Sequence, residues 1–419
     1  MQAKGVRLYG VDDIRLEEFE LPEIKDDEIL VKIICDSICM STYKTVKQGE
    51  KHKRVPEGIA ENPIIIGHEF SGDIVKVGAK WADQFKPGDR FAQQPQIPGQ
   101  METPGYSYPY FGGASTYAIF PGDVIEKGCL MHNEGSYFEA SIAEPMACCI
   151  GGFHSMFHTI PESYEHSIGN KAGGDLIIMG GCGPMGLGAI SYALATENKP
   201  KRVVVTEISD ERLERAAQVI PVSEAAEKGI ELLYVNTANM EDQVAGLMEL
   251  TGGKGYDDVF VYAPVRSMAE VADKILATDG CLNIFAGPAD SQFSGEVNLY
   301  NVHYAKHHYV GCTGSLISDI KEVVDKSAKG LIKPAVMITH VGGIDTIVDT
   351  TMNLPKIPGG KKLTYLQFEM PLTAIADFRK LGETDPLYAK LADSCGAHNG
   401  LWNAEGEEIS GTVESTLGR

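Results

Sequence analysis

Four side chains in the first 150 residues have the chemistry of metal ligands, although long stretches of sequence separate them. Cys39 follows a run of strand-forming residues, and His68 and Glu69 are adjacent further along. Glu144 supplies a second carboxylate. Cysteine, histidine and glutamate hold zinc, and a catalytic zinc uses about three such ligands while one position stays open. A lone cysteine is most often a small buried hydrophobe. The four residues together predict a catalytic zinc site.

A glycine-rich turn supplies a second kind of chemistry. A strand candidate at residues 175–180 runs into the turn, and an uncharged helical segment follows. In a dinucleotide-binding turn the first glycine permits the bend, the second lets backbone approach a pyrophosphate, and the third allows close helix packing. The helix amino terminus then faces the anion. Because 46 of the 419 residues are glycine, the glycine spacing alone is weak evidence for a dinucleotide-binding turn. The predicted cofactor contacts are Gly181, Gly183, Pro184, Met185 and Gly186.

The next strand candidate ends in an acidic residue that strengthens this interpretation. Residues 202–207 end at Glu207, where a carboxylate is expected to accept hydrogen bonds from the cofactor ribose. The same carboxylate would repel a 2′-phosphate, so NAD is favoured. Arg212 is close enough in sequence to leave NADP as the alternative.

Two patterns of strands position these residues. The first 150 residues are β-rich, with short apolar runs at 29–34 and 64–66, and residues 92–113 form a long loop rich in Gln, Pro, Gly and Tyr. From Gly173 onward strands alternate with helices, and helical character marks residues 211–219 and 268–277. Six strands in this pattern predict a doubly wound parallel sheet. They cover residues 175–180, 202–207, 231–236, 258–263, 281–287 and 309–314.

Composition narrows the class of protein. A chain of 419 residues exceeds the usual single core, so two domains are expected. The formal charge of -21 argues against a nucleic-acid partner, because such binding rests on Lys and Arg neutralising phosphates. Nine cysteines without a CxxC pair, and no signal segment, predict a cytoplasmic protein. Residues 176–196 are uncharged, but their glycines and Pro184 favour a strand and turn over a membrane span.

Further motifs accompany the ligand candidates and the turn. They are Ser41 two positions after Cys39, Gly67-His68-Glu69, Lys86-Pro87-Gly88-Asp89-Arg90, Glu144-Pro145, residues 181–188, Ile332-Lys333-Pro334 and Pro358-Gly359-Gly360-Lys361. Over about residues 5–365 the chain resembles the zinc-dependent medium-chain dehydrogenase/reductases of the polyol dehydrogenase type. The resemblance implies an α/β fold: a doubly wound parallel-sheet (Rossmann) cofactor domain, residues 156–314, inserted in a β-rich GroES-like catalytic domain, residues 1–155 and 315–419.

The resemblance also implies roles in metal binding. Cys39, His68 and Glu69 would be zinc ligands. Glu144 would be a fourth ligand or the acceptor for a bound water, and coordination can exchange among the ligands. Many relatives carry a four-cysteine lobe for a structural zinc, but residues 90–120 contain no cysteine. We therefore predict one catalytic zinc and no structural zinc.

Proton transfer would involve the same region. By resemblance, Ser41 takes the proton of the substrate hydroxyl, while its ordinary alternative is a cap or turn serine. Lys44 stands where family members often have a relay histidine, and Glu69 and Glu144 are the catalytic carboxylates. The resemblance further implies a dimer or tetramer.

A basic segment indicates the substrate. Residues 44–54 contain six basic side chains, including Lys51, Lys53 and Arg54, against the single acid Glu50. Such a run is either a solvated surface loop or a lid that binds an anionic substrate such as a sugar phosphate. A closer resemblance, to enzymes that interconvert L-sorbose 1-phosphate and D-glucitol 6-phosphate, favours the second interpretation. The alternatives are a polyol dehydrogenase for an unphosphorylated substrate such as sorbitol, and a dinucleotide-binding protein without catalysis.

About 50 residues beyond Lys362 form a tail without a readable catalytic motif. Residues 386–393 are a helix candidate, with Asp385 placed to cap it and Pro386 suited to its first position. Residues 396–406 are predicted as loop. We expect the tail to be a structural wrap or a subunit contact.

Overall fold

The computed structural model describes residues 1–288 and 290–411, which form two compact units. Unit 1 contains Met1–Pro145, Leu316–Gly330 and the described residues from Met337 onward. Unit 2 contains Met146–Ser315 and Leu331–Val336. The sequence-based division placed residues 146–155 and 331–336 in the catalytic domain, whereas both segments belong to unit 2.

Local contacts explain these differences. One helix, Ala143–His154, runs across the first boundary, and unit 2 begins within it at Met146. The Leu331–Val336 segment is tied to unit 2 through Lys333, whose backbone N–H donates to the Ser191 hydroxyl at 2.8 Å. The Lys333 Nζ also pairs with Glu224 at 2.6 Å.

Unit 2 is built on a six-stranded sheet in which every pairing is parallel. In spatial order its strands are Glu231–Asn236, Arg202–Glu207, Asp175–Met179, Tyr256–Val261, Leu276–Ile284 and His308–Val310. The chain crosses from one half of the sheet to the other beside Asp175–Met179, which confirms the doubly wound topology. All five residues of that strand are buried, as expected for a parallel sheet covered on both faces.

Helices surround this sheet, and a short antiparallel pair joins Phe157–Thr159 to His166–Ile168. The helices lying wholly in unit 2 are Pro184–Ala193, Asp210–Val219, Val222–Glu227, Gln243–Glu249, Arg266–Lys274 and Leu299–Tyr304. The prediction for 211–219 is confirmed. The prediction for 268–277 extends too far, because Leu276 already pairs with Tyr256 in the sheet. Within the described ranges, no helix is both long and apolar enough to cross a membrane.

Unit 1 is β-rich and draws on both ends of the chain. The Ile29–Ile38 strand pairs antiparallel with Phe70–Val77, with Tyr117–Phe120 and with Lys361–Tyr365. The other strands of this sheet are Thr373–Ala374, Ile338–Gly343, Arg90–Gln93 and Leu130–His132. A smaller sheet contains Asp13–Glu20, Gln2–Gly10 and Ile64–Ile65. The fold predicted from the resemblance, with unit 2 inserted in a catalytic domain made from both chain ends, is confirmed.

The helices of unit 1 include a C-terminal group. They are Met40–Gln48, Gly122–Glu126, Tyr137–Ser141, Ile317–Ala328, Ile347–Asn353, Phe378–Leu381, Pro386–Ala397 and Ala404–Gly411. The predicted tail helix is present with Asp385 as its cap, accepting from the Leu387 N–H at 2.9 Å, but it continues to Ala397. The predicted loop at 396–406 is wrong at both ends, since Ala404–Gly411 is also helical.

The reason for the last helix lies in its contacts. The Glu407 carboxylate accepts from the backbone N–H groups of Tyr137 and Phe138, each at 2.9 Å, and from the Tyr365 hydroxyl at 2.9 Å. The buried Trp402 donates its indole N–H to the same hydroxyl at 2.9 Å. These contacts are far apart in sequence, so local propensity did not indicate them. The tail therefore packs into unit 1.

Candidate metal centre

Two neighbouring strand ends bring the metal-ligand candidates together. Cys39 follows the Ile29–Ile38 strand and is the N-cap of the Met40–Gln48 helix. His68 and Glu69 lie directly before the Phe70–Val77 strand. Because these strands are antiparallel and Asp36 pairs with Phe70, the end of one strand lies beside the start of the other.

The ligand atoms of Cys39, His68 and Glu69 all lie within 4.8 Å of one another. We call these three residues the ligand cluster. A soft thiolate, an imidazole and a carboxylate form a donor set that suits zinc, so the residues present fit the metal that the resemblance implied.

Glu69 is fully buried and held by two donors. Its carboxylate accepts from the Ser37 hydroxyl and from the Lys361 Nζ. Burial raises the pKa of Glu69, but the Lys361 charge and the other neighbours outweigh it, so the net pKa is lowered. The negative charges of Cys39 and Glu69 raise the pKa of Lys361 against its own burial. The lowered pKa favours the ionised form of Glu69, which lies beside the other two candidate ligands.

Sequence reasoning did not assign Lys361 to the site. In the sequence, Lys361 stands out only as the last residue of the Pro358-Gly359-Gly360-Lys361 motif. Its strand, Lys361–Tyr365, pairs with Ile29–Ile38, and this pairing delivers the ammonium to Glu69 across 292 positions of sequence. A lysine in the sequence reads as an exposed residue, so the only available signal was the motif itself.

Hydroxyl groups from the first turn of the Met40–Gln48 helix surround His68. The Ser41 Oγ donates to the Cys39 Sγ at 3.0 Å and lies 3.3 Å from the His68 Nε2. The Thr42 Oγ1 lies 3.5 Å from the His68 Nδ1. Lys44, on the same helix, is exposed. The structure thus brings Ser41 to the ligand cluster and leaves the Lys44 side chain at the surface.

Glu144 lies in the first turn of the Ala143–His154 helix and is not one of the three grouped ligands. Burial raises its pKa to about 7, and the negative charge of Glu69 acts in the same direction. Burial lowers the pKa of His68, and the negative charge of Glu144 opposes that shift. Glu144 is thus near enough to interact electrostatically with the ligand cluster.

Tyr106 is a further residue at the cluster that sequence reasoning missed. It comes from the predicted long loop at 92–113 and is buried, with its ring centroid 5.2 Å from that of His68. Burial and the neighbouring Cys39 raise its pKa. The loop composition alone did not distinguish Tyr106 from the two neighbouring tyrosines, Tyr108 and Tyr110.

The basic segment divides into exposed and partly buried side chains. Lys51 and Lys53 are exposed, whereas Arg54 is half-buried and its Cζ lies 5.5 Å from the Tyr106 ring centroid. Of the three residues predicted to contact a phosphate, Arg54 is therefore the one that lies against a residue of the candidate site.

In unit 2 the glycine-rich turn connects the Asp175–Met179 strand to the helix that starts at Pro184. A Cβ on Gly186 would lie 2.3 Å from the Gly181 carbonyl oxygen, so the packing of the turn requires that glycine. A Cβ on Gly183 would meet no described atom within 4 Å. Gly183 is therefore free of a packing role, which leaves its backbone open to the approach of a ligand.

Glu207 ends the second strand of this sheet, as predicted. It is buried, and its carboxylate accepts from the Ile208 N–H at 2.9 Å. Arg212, on the following helix, is exposed and places its Nη1 3.7 Å from the other carboxylate oxygen. The acidic group and the nearby guanidinium are thus both at the end of the strand.

Comparison with known proteins agrees with these observations. Residues 25–129 match the alcohol dehydrogenase GroES-like domain, and residues 184–329 match the zinc-binding dehydrogenase family. The chain is 49% identical to mannitol-1-phosphate 5-dehydrogenase of Aliivibrio fischeri over 410 residues, 97% of each protein. It is 41% identical to L-sorbose 1-phosphate reductase of Klebsiella pneumoniae over 406 residues, 96% of each.

A solved structure supports the fold. A zinc-binding dehydrogenase from Sinorhizobium meliloti aligns with a TM-score of 0.69 over 87% of this chain and 100% of its own, at 21% identity. With the two close relatives and the two matching domains, this protein belongs to the zinc-dependent medium-chain dehydrogenases, in the group of nicotinamide-linked polyol and sugar-phosphate dehydrogenases.

Proposed function

We propose that this enzyme interconverts a ketose phosphate and a hexitol phosphate, with L-sorbose 1-phosphate and D-glucitol 6-phosphate as the pair. The observation that carries the phosphate requirement is the position of Arg54, half-buried beside Tyr106 at the ligand cluster. The 41% identity to L-sorbose 1-phosphate reductase supports the substrate.

A second pair is favoured by the 49% identity to mannitol-1-phosphate 5-dehydrogenase. In L-sorbose 1-phosphate the reacting carbonyl carbon is next to the carbon that carries the phosphate. In mannitol 1-phosphate oxidised at carbon five, three carbons stand between the carbon that carries the phosphate and the reacting carbon. The two candidates thus need different spacings between the phosphate site and the reacting carbon.

Cys39, His68 and Glu69 would hold the zinc, with Glu144 as a fourth ligand or a nearby proton acceptor. When bound, zinc supplies a Lewis acid at the substrate oxygen and the nicotinamide exchanges a hydride with the adjacent carbon. Lys361 keeps Glu69 ionised and oriented.

Ser41 accepts the proton of the substrate hydroxyl at its Oγ and passes its own hydroxyl proton on towards solvent. It is well placed for this step because it hydrogen-bonds to Cys39 and lies 3.3 Å from His68. In the metal-free protein, burial raises the pKa of Glu144 to about 7, which makes its carboxyl group the candidate proton acceptor near the ligand cluster. Lys44 remains the candidate for passing the proton to solvent, and its exposed side chain is compatible with that last step only.

Gly181, Gly183, Pro184, Met185 and Gly186 would receive the cofactor pyrophosphate. Glu207 would accept from the ribose hydroxyls, so we propose NAD over NADP. Arg212 pairs with Glu207 and is the residue able to favour a 2′-phosphate if that preference is reversed. We further propose a cytoplasmic location, since none of the nine cysteines forms a disulfide in the part of the chain that the structure describes. The dimer or tetramer that the family resemblance implies is part of the same proposal. Gel filtration with light scattering measures the subunit number.

The test is to follow NADH and NADPH oxidation with L-sorbose 1-phosphate, fructose 6-phosphate and free L-sorbose, before and after zinc removal. We expect turnover of a phosphorylated ketose, little turnover of free L-sorbose, and loss of both after chelation. Equal rates with L-sorbose and its phosphate would favour the unphosphorylated polyol. Full activity without zinc would contradict the metal assignment, and binding of NADH without any turnover would indicate a non-catalytic protein.

A further inference from the structure

One tyrosine ring links the ligand cluster to two basic side chains. Tyr106 is buried, with its ring centroid 5.2 Å from that of His68 and 5.3 Å from that of His52. The His52 ring is stacked on Tyr106 at an interplanar angle of 24°. The Arg54 Cζ lies over the same ring, 5.5 Å from its centroid. A cationic group and an imidazole are therefore placed beside a candidate metal ligand.

Backbone contacts hold this arrangement in place. The Ser107 Oγ donates to the Arg54 carbonyl at 2.7 Å, which ties the loop to the basic segment. Gly105 packs so closely on Gly67 that a Cβ there would lie 2.4 Å from the Gly67 carbonyl oxygen. Because Tyr106 follows Gly105 directly, its ring is positioned before any ligand binds, and such preorganisation reduces the cost of binding.

The guanidinium of Arg54 keeps unused hydrogen-bonding capacity. Its Nε is buried and has no hydrogen-bond partner among the residues that the structure describes. A buried donor without a partner costs free energy, so an arriving anion would recover that cost. The single acid of the basic segment is already engaged: the Glu50 Oε1 accepts from the backbone N–H groups of Gly58 and Ile59 at 2.7 Å and 3.1 Å.

His52 adds a second donor to the same place. The backbone N–H of Arg54 donates to the His52 Nδ1 at 3.3 Å. In the neutral ring the proton therefore lies on Nε2. Burial and the charge of Arg54 lower the pKa of His52, which keeps the ring neutral at physiological pH. Lys51 and Lys53, in contrast, are exposed and hydrated, and exposed cations hold an anion weakly.

We propose that Arg54 binds the phosphate group of the substrate, with His52 as a second donor and Tyr106 as the positioning residue for both. The identity of the substrate rests on the proposed function, whereas the phosphate subsite is a property of these residues alone. A guanidinium presents a planar fork of N–H groups that matches phosphate oxygens, and the buried Nε is part of that fork. The exposed lysines are assigned no direct contact.

Kinetics with matched variants test the proposal. Arg54→Gln should raise the KM for the phosphorylated ketose about tenfold to a hundredfold while kcat changes little, because a charged hydrogen bond is lost. The controls Lys51→Gln and Lys53→Gln remove the same charge at exposed positions and should change that KM less than about threefold. A selective loss in a lysine variant, with Arg54→Gln unchanged, would overturn the assignment.

Binding of inorganic phosphate to the zinc-loaded full chain separates this proposal from the proposed function. Titration calorimetry should show phosphate binding to the wild type, about tenfold weaker binding to Arg54→Gln, and unchanged binding to Lys53→Gln. Equal phosphate affinity in wild type and Arg54→Gln would refute the subsite. Arg54-dependent phosphate binding without turnover of any sugar phosphate would refute the proposed function and leave the subsite intact.

The platform role of Tyr106 has its own readout. Tyr106→Ala should weaken phosphate binding about as much as Arg54→Gln. Tyr106→Phe should keep it, because the ring makes the contacts with His52 and Arg54 while the hydroxyl bonds to Ser41. Zinc content and melting temperature of both variants identify a general folding defect. Weak phosphate binding in Tyr106→Phe with normal stability would contradict the platform role.

Discussion

The glycine-rich turn of unit 2 and the ligand cluster of unit 1 are organised in opposite ways. The turn is continuous in sequence, and its closest packing, between Gly186 and Gly181, spans five positions. The ligand cluster joins Cys39 to Glu69, and the lysine that holds Glu69 comes from position 361. One site is a local backbone conformation, and the other is a meeting of strand ends.

This difference predicts how each site fails when it is altered. In the turn, a larger side chain at a single position should be enough to disturb cofactor binding or the packing nearby. A buried charged cluster depends on every partner, because an unpaired charge in the interior is costly.

The largest effect is expected from Cys39→Ala. Loss of a ligand should abolish stable zinc binding and lower kcat/KM by on the order of a thousandfold, since the metal contributes several kcal/mol to the transition state. Metal analysis and NADH oxidation measure both. Cys35→Ala is the matched control: Cys35 is buried on the strand that leads to Cys39, with its Sγ 3.4 Å from the Ser71 hydroxyl, and its loss should leave zinc content unchanged. A Cys39→Ala protein with full zinc and activity would remove Cys39 from the cluster.

Lys361→Met should destabilise the metal-free protein by about 3–5 kcal/mol, because it leaves the buried Glu69 carboxylate without its cation. Urea unfolding measures the change. The double variant Lys361→Met with Glu69→Gln should recover part of the loss, and the exposed Lys356→Met is the control. Additive losses in the double variant would show that the two residues are not coupled.

In the turn, Gly186→Ala and Gly183→Ala should separate packing from cofactor binding. The first variant places a Cβ 2.3 Å from backbone oxygen and should lower the free energy of unfolding by about 1–3 kcal/mol. The second meets no described atom, so stability should change by less than about 1 kcal/mol while the Kd for NADH rises. Thermal unfolding and fluorescence titration with NADH measure the two quantities. Normal NADH affinity in Gly183→Ala would argue against pyrophosphate binding at this turn.

Glu207→Ala should lower kcat/KM for NADH about tenfold and change that for NADPH much less, since it removes an acceptor for the ribose and a charge that repels a 2′-phosphate. Glu211→Ala, an exposed acid on the next helix, is the control. If Glu207→Ala leaves the ratio of the two cofactors unchanged, the carboxylate does not set the preference.

The smallest effect is expected for Lys44→Gln. The side chain is exposed on its helix, and solvent can replace an exposed group in the last proton step. We expect kcat to change less than about threefold over neutral pH. Ser41→Ala in parallel should reduce kcat much more, on the order of a hundredfold or greater, as for loss of a direct proton acceptor. A Lys44→Gln variant as impaired as Ser41→Ala would place Lys44 at the centre of the proton path.

Structural features that depend on residues close together along the chain could be predicted from the sequence. Buried parallel strands appear as apolar runs, so strands such as Arg202–Glu207 were predicted with their correct ends. The turn, its glycines and the Asp385 cap follow from backbone conformation and short-range hydrogen bonds. The types of the ligand candidates also indicated zinc before any geometry was available.

Which side chains contact one another at the candidate site became clear only from the tertiary structure. Strand pairing brings Lys361 to Glu69, and the close packing of Gly105 on Gly67 brings Tyr106 to His68. The fold also places Arg54 against the Tyr106 ring and leaves Lys51 and Lys53 exposed, although the three basic residues look equivalent in the sequence. These contacts are stabilised by burial and by partners distant along the chain, and no local pattern of residue types encodes them.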